Sequence, residues 1–200
     1  MNIAVFCSGN GTNFQAIIGA AKTKEFNANI AIMICDNKQA HALERAKKGG
    51  VKTLLVLSEN FKTREDFENK IITQLENEKI ELVCLAGFMR ILSPEFIKKY
   101  ENRILNIHPA LLPSFKGAHG IKDAFEQGAK VTGVTVHFVT DKLDSGPVIL
   151  QESVEISEDD TQESIEQKIH AVEHKLYPGA IKLFIEGRLT IEGKKVKIKK

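Results

Sequence analysis

The chain has 200 residues and a formal net charge of +2, and hydrophobic side chains make up 42% of it. This length suits one domain, and the hydrophobic fraction is enough for a substantial core. The small net charge argues against a polyanion-binding surface, and no apolar run approaches the length needed to cross a bilayer. We therefore expect small-molecule substrates, with neither a nucleic-acid nor a membrane partner.

The cysteines and the start of the chain favour a cytoplasmic protein. Cys7, Cys35 and Cys84 each lie in an apolar, strand-like run without C-x-x-C spacing, which predicts reduced, buried thiols. Residues 1–6 lack the charged start and the long apolar core of a signal peptide.

Strands and helices alternate in the first half of the chain. Strands are predicted over residues 2–7, 30–35, 53–57 and 82–86. Helices are predicted over residues 14–21, 42–48 and 63–78, and from Ser93-Pro94-Glu95 onward. The 63–78 helix has Phe67, Ile71 and Leu75 on one face, with Thr63 and Asp66 as a cap. This alternation is typical of a parallel sheet with crossover helices.

The pattern changes in the second half. We predict a strand over 104–108, extended runs over 131–138 and 148–156, helices over 120–127 and 161–184, and two short final strands. Val134, Val136 and Phe138 alternate with Thr135 and His137, as in a half-buried antiparallel strand. Val196 and Ile198 alternate with a group of lysines, which favours a solvated edge strand. These lysines are Lys194, Lys195, Lys197, Lys199 and Lys200. The predicted fold class is α/β, a single Rossmann-like domain with a mostly parallel sheet and antiparallel C-terminal strands.

A glycine-containing turn over residues 8–13, Ser-Gly-Asn-Gly-Thr-Asn, joins the first strand to the first helix. The turn's amides and the helix N-terminus can converge on one negatively charged group. We expect that a side chain in place of the Gly11 hydrogen would occupy the position of this anion. A dinucleotide is the alternative, because Gly9-x-Gly11 follows a strand and Asp36 ends the next one. Phe14, however, occupies the third glycine position, where a bulky side chain hinders helix–sheet packing. We favour a single phosphate over a dinucleotide or a plain tight turn.

Asn106 and His108 end the predicted strand 104–108 and share one face, because they are two residues apart. Pro109 ends this strand, and open α/β sheets place ligands at the carboxyl ends of their strands. Asp144, in the loop 140–147, can fold back onto His108 and favour its charged form. Asn106 would then donate to an oxyanion, while His108 donates or relays a proton. No Ser or Cys adjoins them as a nucleophile, so the attacking group would belong to a substrate. The alternative is a structural Asn and His that tie down a loop.

The segment His170-Ala171-Val172-Glu173-His174 matches the H-x-x-E-H zinc pattern. Such a site needs a third protein ligand and a larger cleft, so we expect no metal. A helical face that presents Glu173 to a binding site or to solvent is the favoured interpretation.

Three segments resemble the signatures of the folate-dependent formyltransferases. They are Asn106-Ile107-His108-Pro109 with Leu111-Leu112-Pro113, Asp144-Ser145-Gly146-Pro147-Val148-Ile149, and Ala86-Gly87-Phe88-Met89-Arg90-Ile91-Leu92. The turn 8–13, the length and the lack of a C-terminal domain narrow the resemblance to members that act on glycinamide ribonucleotide. The resemblance implies that 10-formyltetrahydrofolate, a co-substrate, gives its formyl group to the ribonucleotide amine in purine synthesis, without a metal.

The resemblance also implies roles for individual residues. The catalytic residues would be Asn106, His108 and Asp144. The ribonucleotide would be bound by Gly11, Thr12, Asn13, Phe14, His170, Ala171, Val172 and Glu173. The folate would be bound by Arg64, Met89, Arg90, Ile91, Leu92, Asn106, Thr140, Asp141, Lys142, Leu143 and Asp144. We expect one formyltransferase domain over residues 1–200, with a phosphate-binding half (1–100) and a catalytic and folate-binding half (101–200).

Two rival functions remain open. A formyltetrahydrofolate hydrolase would use the same three residues with water as the acceptor, and would leave the phosphate turn without a role. A non-catalytic nucleotide-binding module would explain the turn but would leave Asn106, His108 and Asp144 without a role.

Overall fold

A computed structural model describes residues 1–199, which fall into two compact units divided between Leu105 and Asn106. Lys200, the last member of the predicted lysine group, lies outside the described residues.

The first unit is an alternating series of strands and helices. Its elements are β1 (Asn2–Cys7), α1 (Thr12–Lys22), β2 (Asn29–Cys35), α2 (Ala42–Gly49), β3 (Thr53–Leu55), a 3-10 turn (Ser58–Asn60), α3 (Arg64–Asn77), β4 (Leu82–Leu85) and α4 (Pro94–Lys99). The strand order is β3-β2-β1-β4, and every pairing is parallel. The predicted parallel arrangement is therefore confirmed.

Burial on both faces explains the continuous apolar runs of these strands. In β1 the residues from Ile3 to Cys7 are all fully buried, as expected for a parallel strand covered by helices on both sides. The three cysteines are buried thiols, and burial, with the neighbouring thiols, raises the pKa of Cys7. The prediction of buried thiols is confirmed.

The helix signals of the first unit also hold. Phe67, Ile71 and Leu75 form the buried stripe of α3, and the Thr63 hydroxyl accepts a hydrogen bond from the Asp66 amide at 3.0 Å. The helix α4 begins at Pro94, and the Ser93 hydroxyl accepts from the Phe96 amide at 3.1 Å, so the predicted helix start is confirmed.

The strand β5 (Ile104–His108) ends in the second unit. The other elements of this unit are α5 (Gly120–Glu126), β6 (Val131–Phe138), β7 (Val148–Glu155), α6 (Gln162–Ile185), β8 (Leu189–Glu192) and β9 (Lys195–Ile198). The β6–β7 and β8–β9 pairs are antiparallel, which confirms the antiparallel C-terminal strands.

Two details of the second unit differ from expectation. The lysine-rich strand β9 lies between β7 and β8, so the prediction of an edge strand is wrong and β8 is at the edge. The strand β6 is buried from Thr132 to Phe138 on both faces, not on one, because α6 packs against it and its polar side chains Thr135 and His137 hydrogen-bond to the Ala110 carbonyl and the Asn106 amide.

The long helix α6 starts with a capping box between Thr161 and Ser164, and Pro178 lies within it. Its buried face includes Ile165, Ile169 and Glu173 at four-residue spacing. Within residues 1–199, no helix combines the length and the apolar character that a bilayer span requires.

Candidate active site

In the turn between β1 and α1, the carbonyl groups accept hydrogen bonds from residues that lie outside the turn. Ser8 O accepts from Asn37 Nδ2 at 3.0 Å, Gly9 O from the Ala42 amide at 3.1 Å, and Asn10 O from Arg45 Nε at 2.8 Å. Among residues 1–199, the amides of Gly9, Asn10, Gly11 and Thr12 donate to no backbone carbonyl. Unbound amides at the N-terminus of an 11-residue helix form a site with the electrostatic character that an anion requires.

Gly11 is required by packing as well as by backbone conformation. It is the N-cap of α1 with a φ of 75°, a left-handed conformation that favours glycine. A Cβ at this position would lie 2.8 Å from Ala42 Cβ, so a side chain would strike α2. Packing against α2 therefore excludes a side chain at Gly11, and the expectation that it would occupy the anion's place stays a prediction.

The other residues predicted near the phosphate lie in the first turn of α1. Thr12 is half-buried and Asn13 is buried. Phe14 is fully buried in the core, so only its main chain remains available to a ligand.

A pocket of about 540 Å³ in the first unit contains the first group of predicted folate residues. Arg64 and the segment Met89, Arg90, Ile91 and Leu92 line it. The side chains of Met89 and Ile91 are 68% and 65% exposed, which is unusual for apolar residues of this size. Three phenylalanines, Phe61, Phe67 and Phe88, also line the pocket.

The segment that carries Met89 and Arg90 is held by hydrogen bonds. The Met89 amide donates to Ser8 Oγ at 2.9 Å. Arg90 donates to Asp36 Oδ2 at 2.7 Å and to Ser58 Oγ at 2.6 Å, and its guanidinium lies over the Phe67 ring. Asp36, which the dinucleotide alternative would assign to a ribose, thus forms an ion pair with Arg90.

Glu68, which the sequence interpretation missed, is a buried carboxylate at the same pocket. It accepts from the Ser93 amide at 2.8 Å, from the Ser93 hydroxyl, and from Arg64 Nε at 3.2 Å. Arg64 also donates to the Ile91 carbonyl. The sequence offered one signal for this site: Glu68 is a charged residue that directly follows Phe67, which belongs to the buried face of α3.

The second unit brings Asn106, His108 and Asp144 together. His108 Nε2 donates to the Phe115 carbonyl at 2.8 Å, and His108 Nδ1 lies 3.7 Å from Asp144 Oδ2. The 3.7 Å separation is too long for a hydrogen bond, so Asp144 acts on His108 through its charge. Asp144 Oδ2 also accepts from the Gly117 amide at 2.8 Å. His108 and Asp144 are both buried, so their interaction is little screened by solvent.

His137 is the other residue of this cluster, and the sequence interpretation missed it. Its Nδ1 donates to the Phe138 carbonyl at 2.8 Å, so Nε2 is the acceptor for the Asn106 amide group at 3.2 Å. Burial lowers the pKa of His137, although the Phe138 carbonyl and Asp144 oppose this effect. A neutral His137 therefore fixes the orientation of the Asn106 amide.

His137 stands on the same face of β6 as Thr135, and both are buried. Thr135 donates to the Ala110 carbonyl at 2.6 Å and accepts from the Leu112 amide at 3.1 Å, which holds the segment after His108. Two polar residues alternating with apolar ones were the available signal, but the same pattern is typical of a solvent-facing strand.

The loop that carries Asp144 closes tightly on the end of β6. A Cβ at Gly146 would lie 1.8 Å from the Phe138 carbonyl, so only glycine permits this approach. Asp144 itself has a φ of 45°, a conformation that Asp and Asn tolerate better than most residues. The remaining predicted folate residues lie on this loop, where Asp141, Lys142 and Leu143 are exposed and Thr140 is half-buried.

The predicted ribonucleotide residues of α6 lie around a buried carboxylate, Glu173. His170 Nδ1 donates to Glu173 Oε2 at 2.7 Å, and this hydrogen bond raises the pKa of His170. Ala171 is exposed and Val172 is half-buried. In the part of the chain that the structure describes, no group of three or more His, Cys, Asp or Glu side chains could hold a metal ion.

Known proteins share this sequence and fold. The model of the formyl transferase family matches residues 1–181. The phosphoribosylglycinamide formyltransferase of Bacillus subtilis (strain 168) is 44% identical over 90% of this chain and 92% of its own length. That of Escherichia coli (strain K12) is 43% identical over 96% of this chain and 90% of its own length.

A solved structure agrees closely with this one. The glycinamide ribonucleotide transformylase 1 of Symbiobacterium toebii is 44% identical, with a TM-score of 0.97 over 100% of this chain and 94% of that chain. The family match covers the turn 8–13, the pocket lined by Met89 and Ile91, and the Asn106–His108–Asp144 cluster alike. The chain therefore belongs to the formyl transferase family.

Proposed function

We propose that this protein transfers the formyl group of 10-formyltetrahydrofolate to the amine of glycinamide ribonucleotide in the cytoplasm. The observation that carries the proposal is the cluster in which Asn106, His108 and Asp144 supply an amide donor, a proton donor and a charged partner. Relatives that share more than 40% of the sequence over nearly full length have names that describe this reaction. Both substrates are small molecules, and no metal takes part.

The reaction needs a group that stabilises negative charge on the formyl oxygen. The amine of the ribonucleotide attacks the formyl carbon and forms a tetrahedral intermediate with an oxyanion and an ammonium. Asn106 donates to this oxyanion, and His137 keeps the amide in position through its bond to Asn106 Nδ2.

Collapse of the intermediate needs a proton at the folate nitrogen. The attacking amine loses one proton, and the leaving nitrogen gains one, so the exchange balances. His108 supplies the proton directly or through water, and the Asp144 carboxylate lies 3.7 Å from His108 Nδ1 as its charged partner.

The first unit supplies binding groups of two kinds. The amides at Gly11 and Thr12, with Asn13, bind the ribonucleotide phosphate. The resemblance assigns His170 and Glu173, on α6, to the glycinamide end. Met89 and Ile91 in the 540 Å³ pocket offer apolar surface to the folate, and Arg64 offers charge. Further folate contacts come from the loop 140–144 and Asn106.

One assay distinguishes this function from its rivals. The protein is mixed with 10-formyltetrahydrofolate, with and without glycinamide ribonucleotide, and loss of the formyl group is followed. We expect loss only when the ribonucleotide is present, with formylated ribonucleotide as the product. Formate release without ribonucleotide would indicate a hydrolase, and no loss in either case would indicate a binding module. Asn106→Ala protein is the control for formyl loss that occurs without the enzyme.

A further inference from the structure

We propose that Arg45, on α2, is a positioning residue for the phosphate-binding turn. The proposal rests on the proposed function, because it assigns Arg45 a role at the same phosphate site. The sequence interpretation gave Arg45 no role, and it lies outside the turn, in the first half of the short helix α2.

Arg45 binds one residue of the turn twice. Its Nε donates to the Asn10 carbonyl at 2.8 Å, and its Nη2 donates to Asn10 Oδ1 at 2.9 Å. A guanidinium can make two such bonds because its donors form a rigid planar fork, whereas a lysine ammonium has no such fork. The main chain and the side chain of Asn10 are thus held together.

The direction of the Asn10 carbonyl decides whether the turn can accept an anion. A carbonyl oxygen that faced the phosphate would repel it, while a carbonyl turned toward Arg45 leaves the Gly11 and Thr12 amides free to donate. The neighbouring Gly9 carbonyl is turned away in the same manner, by the Ala42 amide. Arg45 therefore orients the part of the turn that directly precedes the N-terminus of α1.

The helix α2 is itself held firmly enough to act as a support. Ala42 and Ala46 are fully buried, and Gly11 lies so close to Ala42 that no Cβ fits between them. Arg45 is only half-buried, so its replacement removes the two bonds without opening a cavity in the core. Lys48, exposed on the same helix, is a matched control that removes an equal charge.

The test compares Arg45→Gln, Arg45→Lys and Lys48→Gln in steady-state kinetics. Arg45→Gln should raise the KM for glycinamide ribonucleotide about ten-fold, the loss expected for charge-assisted hydrogen bonds, with kcat and the folate KM nearly unchanged. Arg45→Lys should lie between wild type and Arg45→Gln, because the charge remains while the fork is lost. Lys48→Gln should match wild type.

A substrate without the phosphate separates positioning from general distortion. With glycinamide riboside, wild type and Arg45→Gln should have the same kcat/KM, because there is no phosphate for the turn to bind. An equal loss on both substrates, or an unchanged ribonucleotide KM in Arg45→Gln, would overturn the proposal. If Arg45→Gln unfolds, Asn10→Ala is tested in its place and should raise the ribonucleotide KM by a smaller factor. The double variant Asn10→Ala/Arg45→Lys should then show less than the sum of the two single effects.

Binding of inorganic phosphate, measured by calorimetry, separates this proposal from the proposed function. One outcome is that Arg45→Gln binds phosphate about ten-fold more weakly than wild type while no formyl transfer occurs. In that case the role of Arg45 is supported and the proposed function is wrong. If transfer occurs but phosphate binds both proteins equally, the function stands and the role of Arg45 is wrong.

Discussion

The turn over residues 8–13 and the Asn106–His108–Asp144 cluster present their polar groups in opposite ways. The turn uses main-chain amides at the surface, and its neighbours serve mainly to turn carbonyl groups away. The cluster uses buried side chains whose protonation state matters. A site built from main chain should therefore be sensitive to packing, whereas a site built from side chains should be sensitive to the charge and identity of single residues. Five predictions test this contrast, from the largest expected effect to the smallest.

Asn106→Ala should lower kcat roughly a hundred- to a thousand-fold, the usual cost of losing one oxyanion donor. The KM for the ribonucleotide should change little, because the proposed phosphate site is the turn 8–13 and does not include Asn106. Steady-state kinetics with both substrates varied measures this split. Near-normal turnover would remove Asn106 from the mechanism.

Asp144→Asn should lower kcat by roughly a hundred-fold, because it removes the carboxylate that faces the proton donor His108. The amide has the same shape and tolerates the left-handed backbone at this position. Steady-state kinetics at saturating substrates measures this loss. A kcat close to that of wild type would contradict a role for Asp144 in proton transfer.

Gly11→Ala should destabilise the protein by about 2–4 kcal/mol, combining the left-handed backbone with the contact against Ala42. For a chain of this size the melting temperature should fall by roughly 5–10 °C. Gly9→Ala is the matched control in the same turn, since no atom lies within 4 Å of a Cβ there, and its melting temperature should stay near wild type. Equal shifts in calorimetry would contradict the packing argument.

His137→Leu should lower kcat about ten-fold, less than Asn106→Ala, because it removes the partner that orients the amide and not the amide itself. The double variant with Asn106→Ala should be no slower than Asn106→Ala alone. A stability measurement adds a second test. Because the pKa of His137 is lowered by folding, His137 becomes protonated in the unfolded chain at a higher pH than in the folded chain. Wild type should therefore lose stability as pH falls below about 6.5. His137→Leu should lack this loss.

Glu173→Gln should lower the pKa of His170 toward its ordinary value, because the hydrogen bond from His170 to the carboxylate is the main cause of the raised pKa. A group with a raised folded pKa stabilises the protein below its unfolded pKa, and this contribution is lost as pH rises through the folded pKa. The stability difference between wild type and Glu173→Gln should therefore be larger at pH 5 than at pH 8. Titration of His170 by NMR measures the shift. Glu166→Gln, which removes a carboxylate at 3.5 Å from the other ring nitrogen, should shift it less.

The sequence alone was sufficient for most of the fold, because local signals coincide with burial. The run from Ile3 to Cys7, the stripe of Phe67, Ile71 and Leu75, and the Ser93-Pro94 helix start each predicted an element that the structure contains. Asn106 and His108 were predicted to share a face because strand periodicity is a local property. Their association with Asp144 was supported mainly by the resemblance to the family signatures, because residue periodicity does not predict the path of a loop.

Only the tertiary structure decided which neighbours complete each site. His137, Glu68 and Arg45 are far in sequence from the residues they hold, and a polar side chain in an alternating pattern predicts a solvent-facing position by default. The order of β8 and β9 was likewise undetermined, because both strands are short and half-exposed and their patterns suit either position in a sheet. The direction of a side chain at Gly11 depended on where α2 packs, which is a contact between elements and has no local signature.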